Sequence, residues 1–171
     1  MVKRIFRYLL RHIVLFLVNN VLEGTNPRFF EFKRNLLNRV GHKLGEGTKV
    51  VGPIICTGSL ISGKNNWIGT NFCIRGNGTV ILGDNCDIGP DVTFITGSHE
   101  IGSVIRRAGL GLNYNIKIGN GNWIGCRSSF VNNIEIGNSN VVAACSCVCK
   151  SFADNTLMGG VPAKVIKQLD V

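Results

Sequence analysis

The sequence predicts an all-β domain wound as a three-sided parallel coil, with a helical arm ahead of it and a short helix at its close. Three observations predict it. Large apolar residues recur at every sixth position, Gly directly follows many of them, and a basic segment with helical spacing precedes the repeat.

The repeat is plainest from Ile118. Steps of six reach Ile124, Phe130, Ile136, Val142 and Val148, all large and apolar. A second series runs Ile68, Ile74, Val80, then slips by two to Leu82, Ile88 and Phe94. The slip falls at Gly76-Asn77-Gly78, where extra residues are expected to bulge outward. Upstream, Val50 and Cys56 share the register and Ser62 breaks it. Gly follows the periodic residue at 69, 83, 89, 119, 125 and 137. A period of six is neither the 3.6 of a helix nor the 2 of a strand. It suits a short strand plus a corner, in which the apolar residue points inward and Gly or Asn takes a strained corner conformation. Three such sides close a coil, and stacked coils bury one continuous core.

Residues 1–45 read as the arm and 46–171 as the coil domain. In Met1–Val21, helical spacing puts Arg4, Arg7 and Arg11 on one side. Ile5, Phe6, Leu9, Leu10, Ile13, Phe16 and Leu17 fall on the other. The apolar run is too short and too charged to span a bilayer, and no cleavage site of the secretory kind follows it. Residues 1–22 therefore suit either an anionic membrane surface or packing on the protein's own oligomer. A second helix is expected from Pro27 to Val40. Thr25 or Asn26 caps it, Pro27 suits its first turn and Gly41 its end.

Composition narrows the function classes. Gly, at 22 of 171 residues, is nearly twice its usual share while Pro numbers 4, which reads as ordered chain with many tight turns. The net charge of +9 is uneven, since residues 1–50 alone carry +7. A solvated basic face or anionic lipid accounts for this. Nucleic acid is not expected, because basic–aromatic interleaving and zinc-finger spacing are absent. Seven cysteines without a C-x-x-C pair suit reduced thiols in a cytoplasmic protein, with peripheral attachment at the inner face of the membrane as the variant. Cys145, Cys147 and Cys149 alternate along one stretch, but no His stands with them, so buried thiols filling strand positions are expected rather than a metal site.

The repeat, together with the ending Gly159-Gly160-Val161-Pro162-Ala163-Lys164-Val165-Ile166, resembles the hexapeptide-repeat acyltransferases over roughly residues 50–167. The resemblance implies a left-handed coil, a homotrimer and acetyl-CoA as acyl donor, with no metal required. It also implies a sugar or glycan hydroxyl as acceptor, in surface-polysaccharide or lipopolysaccharide assembly.

The repeat is interrupted once, between Phe94 and Ile118, and the extra residues are expected to project as a loop over about 99–116. His99 stands where it begins. A lone His is more often structural than catalytic, but this is the only one in the repeat, His12 and His42 lying in the arm. The run Thr96-Gly97-Ser98-His99 is similar to that of galactoside, maltose and streptogramin acetyltransferases, which implies that His99 is the general base. A sugar hydroxyl has a pKa far above 7 and needs such a base as it attacks the thioester. Glu100, beside it in an extended segment, is expected to point away.

By the same resemblance Trp123, Ala144, Cys149, Lys150, Lys164 and Lys167 hold acetyl-CoA in a groove between two coils. The Cys126 backbone N–H of the neighbouring copy meets the oxyanion, and a covalent role for its thiol is the lesser alternative. Asn71 matches a position that touches the acceptor. Arg106 and Arg107 suit either an anionic acceptor or a solvated loop. The chain departs from the family pattern at Arg75, Gly76 and Gly78, and at Glu100 after the His. Rival readings are transfer to serine or an antibiotic, and a metal-dependent hydratase or purely structural coil. The first lacks the large helical domain and second His of serine acetyltransferases. The hydratase lacks two of its three His.

Overall fold

The computed structural model describes residues 2–170, with side chains from residue 5. Stacked parallel strands form three faces. The first holds β1 (Lys43–Leu44), β4 (Ser59–Ser62), β7 (Thr79–Leu82), β12 (Asn115–Ile118) and β15 (Glu135–Ile136). The second holds β2 (Lys49–Val50), β5 (Trp67–Ile68), β8 (Asp87–Ile88), β13 (Trp123–Ile124), β16 (Val141–Val142) and β18 (Thr156–Gly160), with β19 (Ala163–Gln168) at its edge. The third holds β3 (Ile54–Cys56), β6 (Phe72–Arg75), β9 (Thr93–Ile95), β14 (Ser129–Val131) and β17 (Cys147–Val148). The chain visits the faces in turn, so this is a three-sided parallel β-helix.

Both apolar series point inward. Ile88, Ile124 and Val142 stack in one ladder, Phe94, Phe130 and Val148 in another, and all six are buried. Phe94 lies 4.7 Å from Phe130 with nearly parallel rings. The slip at Gly76-Asn77-Gly78 lies between β6 and β7, and β7 still pairs in register with β4, Ser62 beside Leu82. Ser62, which breaks the apolar pattern, is buried in the same ladder.

The glycines after the periodic residues do not serve as expected. None of the six takes positive φ. That conformation belongs instead to a residue further along the corner, such as Asn65, Asn71, Asn85, Asp91, Ser139 and Asn155. The six glycines answer to stacking: a Cβ at Gly125 would sit 2.5 Å from Ala144 N, and one at Gly89 2.8 Å from Cys126 N. The following corner leaves no room for a side chain.

A second inward position on face two is polar. Asn66, Asn122 and Asn140 are buried and cap the coil corners. Asn122 Nδ2 donates to Gly137 O (2.9 Å) while its Oδ1 accepts from Asn140 N (3.0 Å), and Asn140 Oδ1 accepts from Thr156 N (2.7 Å). Each amide ties one coil to the next and satisfies buried backbone that the corner would orphan.

The arm closes the open edge of the first coil. Helix α1 (Val2–Phe16) continues through a π-helical turn, Leu17–Val21, and α2 (Pro27–Arg39) begins on an Asn26 cap whose Oδ1 accepts from Arg28 N (3.1 Å). Asn19 exchanges two hydrogen bonds with the Ile54 backbone, both 2.8 Å, and Asn38 does the same with Leu44 (3.1 and 2.7 Å). These amides imitate the missing strand and cover the sheet edge. Buried Lys33 donates from Nζ to Gly24 O and Val51 O, 3.0 Å each, and burial holds its pKa below the usual lysine range.

At the far end the expected helix is absent. Residues 163–168 form β19, antiparallel to β18 after a turn at Val161-Pro162. The open edge of β18 offers backbone partners along its whole length, and pairing with it satisfies more groups than one helical turn would.

Candidate active site

The interruption leaves the coil at the corner between faces three and one. It is an antiparallel ribbon rather than an irregular loop, made of β10 (Gly97–Ile101) and β11 (Ala108–Asn113). Its base is fixed to the register slip. Thr96, fully buried, donates from Oγ1 to Arg75 O (3.0 Å) and accepts there from Gly78 N (3.2 Å). Gly76 has φ +104°, and a Cβ on it would meet Gly97 N at 2.6 Å. The two departures from the repeat therefore occupy one place and require each other.

Between them lies an open cleft of about 360 Å³, lined by Gly76, Asn77, Gly97, Ser98, His99, Gly111, Leu112 and Asn113. His99 sits opposite Gly111, just before a bulge that puts an extra residue into β11. Its Nδ1 lies 3.0 Å from Gly109 O. A carbonyl oxygen only accepts, so Nδ1 carries the proton and Nε2 keeps its lone pair. The imidazole is exposed and oriented.

The other candidate residues divide between two corners. Trp123 is 61% exposed on the outside of face two. Cys126 and Ala144 are exposed at the corner between faces two and three, where Cys145 N donates to Cys126 O (2.9 Å). Half-buried Cys149 and exposed Lys150 follow β17, at the corner from which the ribbon leaves. Lys164 and Lys167 are exposed on β19. Within one chain, His99 thus shares an edge with Cys149 and Lys150, and face three separates it from Cys126 and Ala144. Asn71 stands at the corner between faces two and three, its Nδ2 donating to Asp91 Oδ1 (2.8 Å), and does not line the His99 cleft. Arg106 and Arg107 are at the ribbon tip, Arg107 NH1 reaching Gly102 O at 3.4 Å. Asn77 was marked in the sequence only by the register slip, and Gly109 and Asn113 were not singled out. The strict spacing on either side of the ribbon was the only signal for them.

The thiols depart from expectation. Cys56, Cys73 and Cys86 are buried, but Cys147 and Cys149 are half-exposed and Cys126 and Cys145 exposed. Burial pushes the Cys56 thiol up to about 12 and raises that of Cys86, which removes both as nucleophiles. Among the described residues no three His, Cys, Asp or Glu stand together where they would hold a metal ion.

No protein-family model matches the chain. It is 31% identical to the galactoside O-acetyltransferase of Escherichia coli K12 over 148 residues, 85% of this chain and 73% of that protein. Its fold superposes on a hexapeptide-repeat acetyltransferase from Vibrio cholerae, solved with acetyl-CoA, with TM-score 0.82 and 26% identity, covering 95% of this chain and 86% of that one. A galactoside acetyltransferase solved with coenzyme A gives TM-score 0.81 and 27% identity, over 96% and 81%. The chain belongs to the hexapeptide-repeat acetyltransferases of the galactoside O-acetyltransferase kind. It is an acyltransferase.

Proposed function

We propose that the protein transfers the acetyl group of acetyl-CoA to a sugar hydroxyl in surface-glycan assembly, with His99 as general base, in a groove shared by neighbouring copies of a trimer. The observation that carries this is the His99 Nδ1 bond to Gly109 O, which leaves Nε2 as the acceptor. The sugar hydroxyl gives its proton to Nε2 as its oxygen attacks the thioester carbonyl. The tetrahedral oxyanion takes a hydrogen bond from the backbone N–H of Cys126 on the neighbouring copy. Collapse breaks the carbon–sulfur bond, and the imidazolium returns the proton to the departing thiolate.

The division of candidate residues between two edges of face three supports sharing. A head-to-tail contact, with the His99 edge of one copy against the Cys126 edge of the next, closes as a ring. The outer side of face three suits such a contact, since it presents Ile55, Thr93, Ile95, Ser129, Val131 and Cys147 with Arg75 as its one charge. Trp123 and Ala144 then flank the pantetheine arm, with Cys149, Lys150, Lys164 and Lys167 toward the phosphates. Asn71, Arg106 and Arg107 reach the acceptor from the rims.

The test is thiol release from acetyl-CoA with a panel of nucleotide sugars and glycans, with mass analysis of the products. An O-acetylated sugar formed in step with free thiol is the expected result. Acetylation of amines or serine alone contradicts the acceptor class.

A further inference from the structure

We propose that α1 seats the protein on an anionic lipid bilayer through the face it turns away from the β-helix. The amphipathic helix buries only part of its apolar surface, with Leu10, Val14, Leu15 and Val18 packed against the core. Its inward stripe contains Arg11, whose guanidinium donates to Cys56 O (2.7 Å) and Gly58 O (2.9 Å), alongside buried Val14 and Val18. Its outward stripe is Ile5, Phe6, Leu9, Ile13 and Phe16, each more than half exposed. A soluble domain normally buries such a stripe, and the coil leaves this one uncovered.

Charge selects the occupant. Besides coil-bound Arg11, residues 1–22 hold Lys3, Arg4 and Arg7 and no acidic residue. Two copies of α1 laid face to face would bring like charges together, whereas anionic headgroups neutralise them while the acyl boundary takes the apolar side chains. None of the described helices is long and apolar enough to cross a membrane, so the helix lies in the interface plane.

The seat also sets a height. α1 crosses the coil that contains β3, and the ribbon leaves two strands further on, after β9. At about 4.8 Å per strand the His99 cleft stands about 10 Å along the axis from that coil, within reach of a glycan carried on a lipid. This consequence rests on the reading of His99 as the base, and the seat itself does not.

The experiment is co-sedimentation of the full chain, without acetyl-CoA, with phosphatidylcholine vesicles and with vesicles also containing phosphatidylglycerol. Wild type is expected to bind the anionic vesicles preferentially. The double variant Leu9→Glu, Ile13→Glu should lose at least about tenfold in affinity, with melting temperature and turnover of a soluble acceptor unchanged. Absence of wild-type binding, or equal binding by the variant, overturns the proposal. So does a larger wild-type assembly that shrinks in the variant, because a second copy would then cover the stripe.

Discussion

His99 and Gly109 are joined across the ribbon by a 3.0 Å contact from imidazole Nδ1 to carbonyl oxygen, at the point where a bulge gives β11 one residue more than β10. The bulge aims the carbonyl at the ring, so a break in the ladder holds the imidazole's tautomer. A Cβ on Gly109 would meet Glu100 O at 3.0 Å and Gly102 Cα at 3.3 Å, both backbone atoms that cannot swing aside.

Gly109→Ala should therefore displace the carbonyl and lower kcat by roughly ten- to a hundredfold, with acetyl-CoA affinity unchanged. Steady-state kinetics checks this, and an unaltered kcat would show that the orienting contact is dispensable.

The coil-stacking glycines should be unequal to other glycines. Gly125→Ala places a methyl 2.5 Å from Ala144 N, and the coils must separate there, at a cost of about 1–3 kcal/mol. Gly111 has nothing within 4 Å of its Cβ position, so Gly111→Ala should melt like wild type. Similar melting temperatures for the two variants would contradict the stacking argument.

His42 should make the junction of arm and coil acid-sensitive. It is buried, its Nδ1 accepts from Leu60 N (3.2 Å), and burial with the Arg11 charge lowers its pKa to about 4. The unfolded value is near 6.5. Because the folded value is the lower one, the unfolded chain binds a proton in this range that the folded chain does not. Stability is then full above about pH 6.5 and falls toward pH 4 by roughly 3 kcal/mol. His42→Gln should flatten that slope in melting temperature against pH; an unchanged slope assigns it to other groups.

The β-helix was legible because burial itself has period six: every inward position from Ile118 to Val148 is set by the same geometry, and so was the slip at Gly76. The arm's second helix was legible through Asn26, Pro27 and Gly41, which act locally. What failed depends on partners distant in sequence. Residues 163–168 contain good helix formers and became a strand because β18 left an edge. Asn65 and Asn66 are adjacent and look alike, yet one takes positive φ at a corner and the other is buried between coils. Spacing put Arg11 on a basic stripe with Arg4 and Arg7, and the carbonyls of Cys56 and Gly58 drew it onto the coil. His99 was legible as a candidate from its place at the interruption. Its partner Gly109 was not, because a bulge in a ribbon has no periodic trace.

The central claim is that the His99 imidazole removes the acceptor's proton. Its most direct test compares kcat for acetyl transfer by His99→Ala and wild type at saturating acetyl-CoA, with acetyl-CoA affinity and melting temperature taken on the same samples. The expected result is a loss of roughly a hundred- to ten-thousandfold in kcat with the other two quantities unchanged. Turnover close to wild type would contradict it.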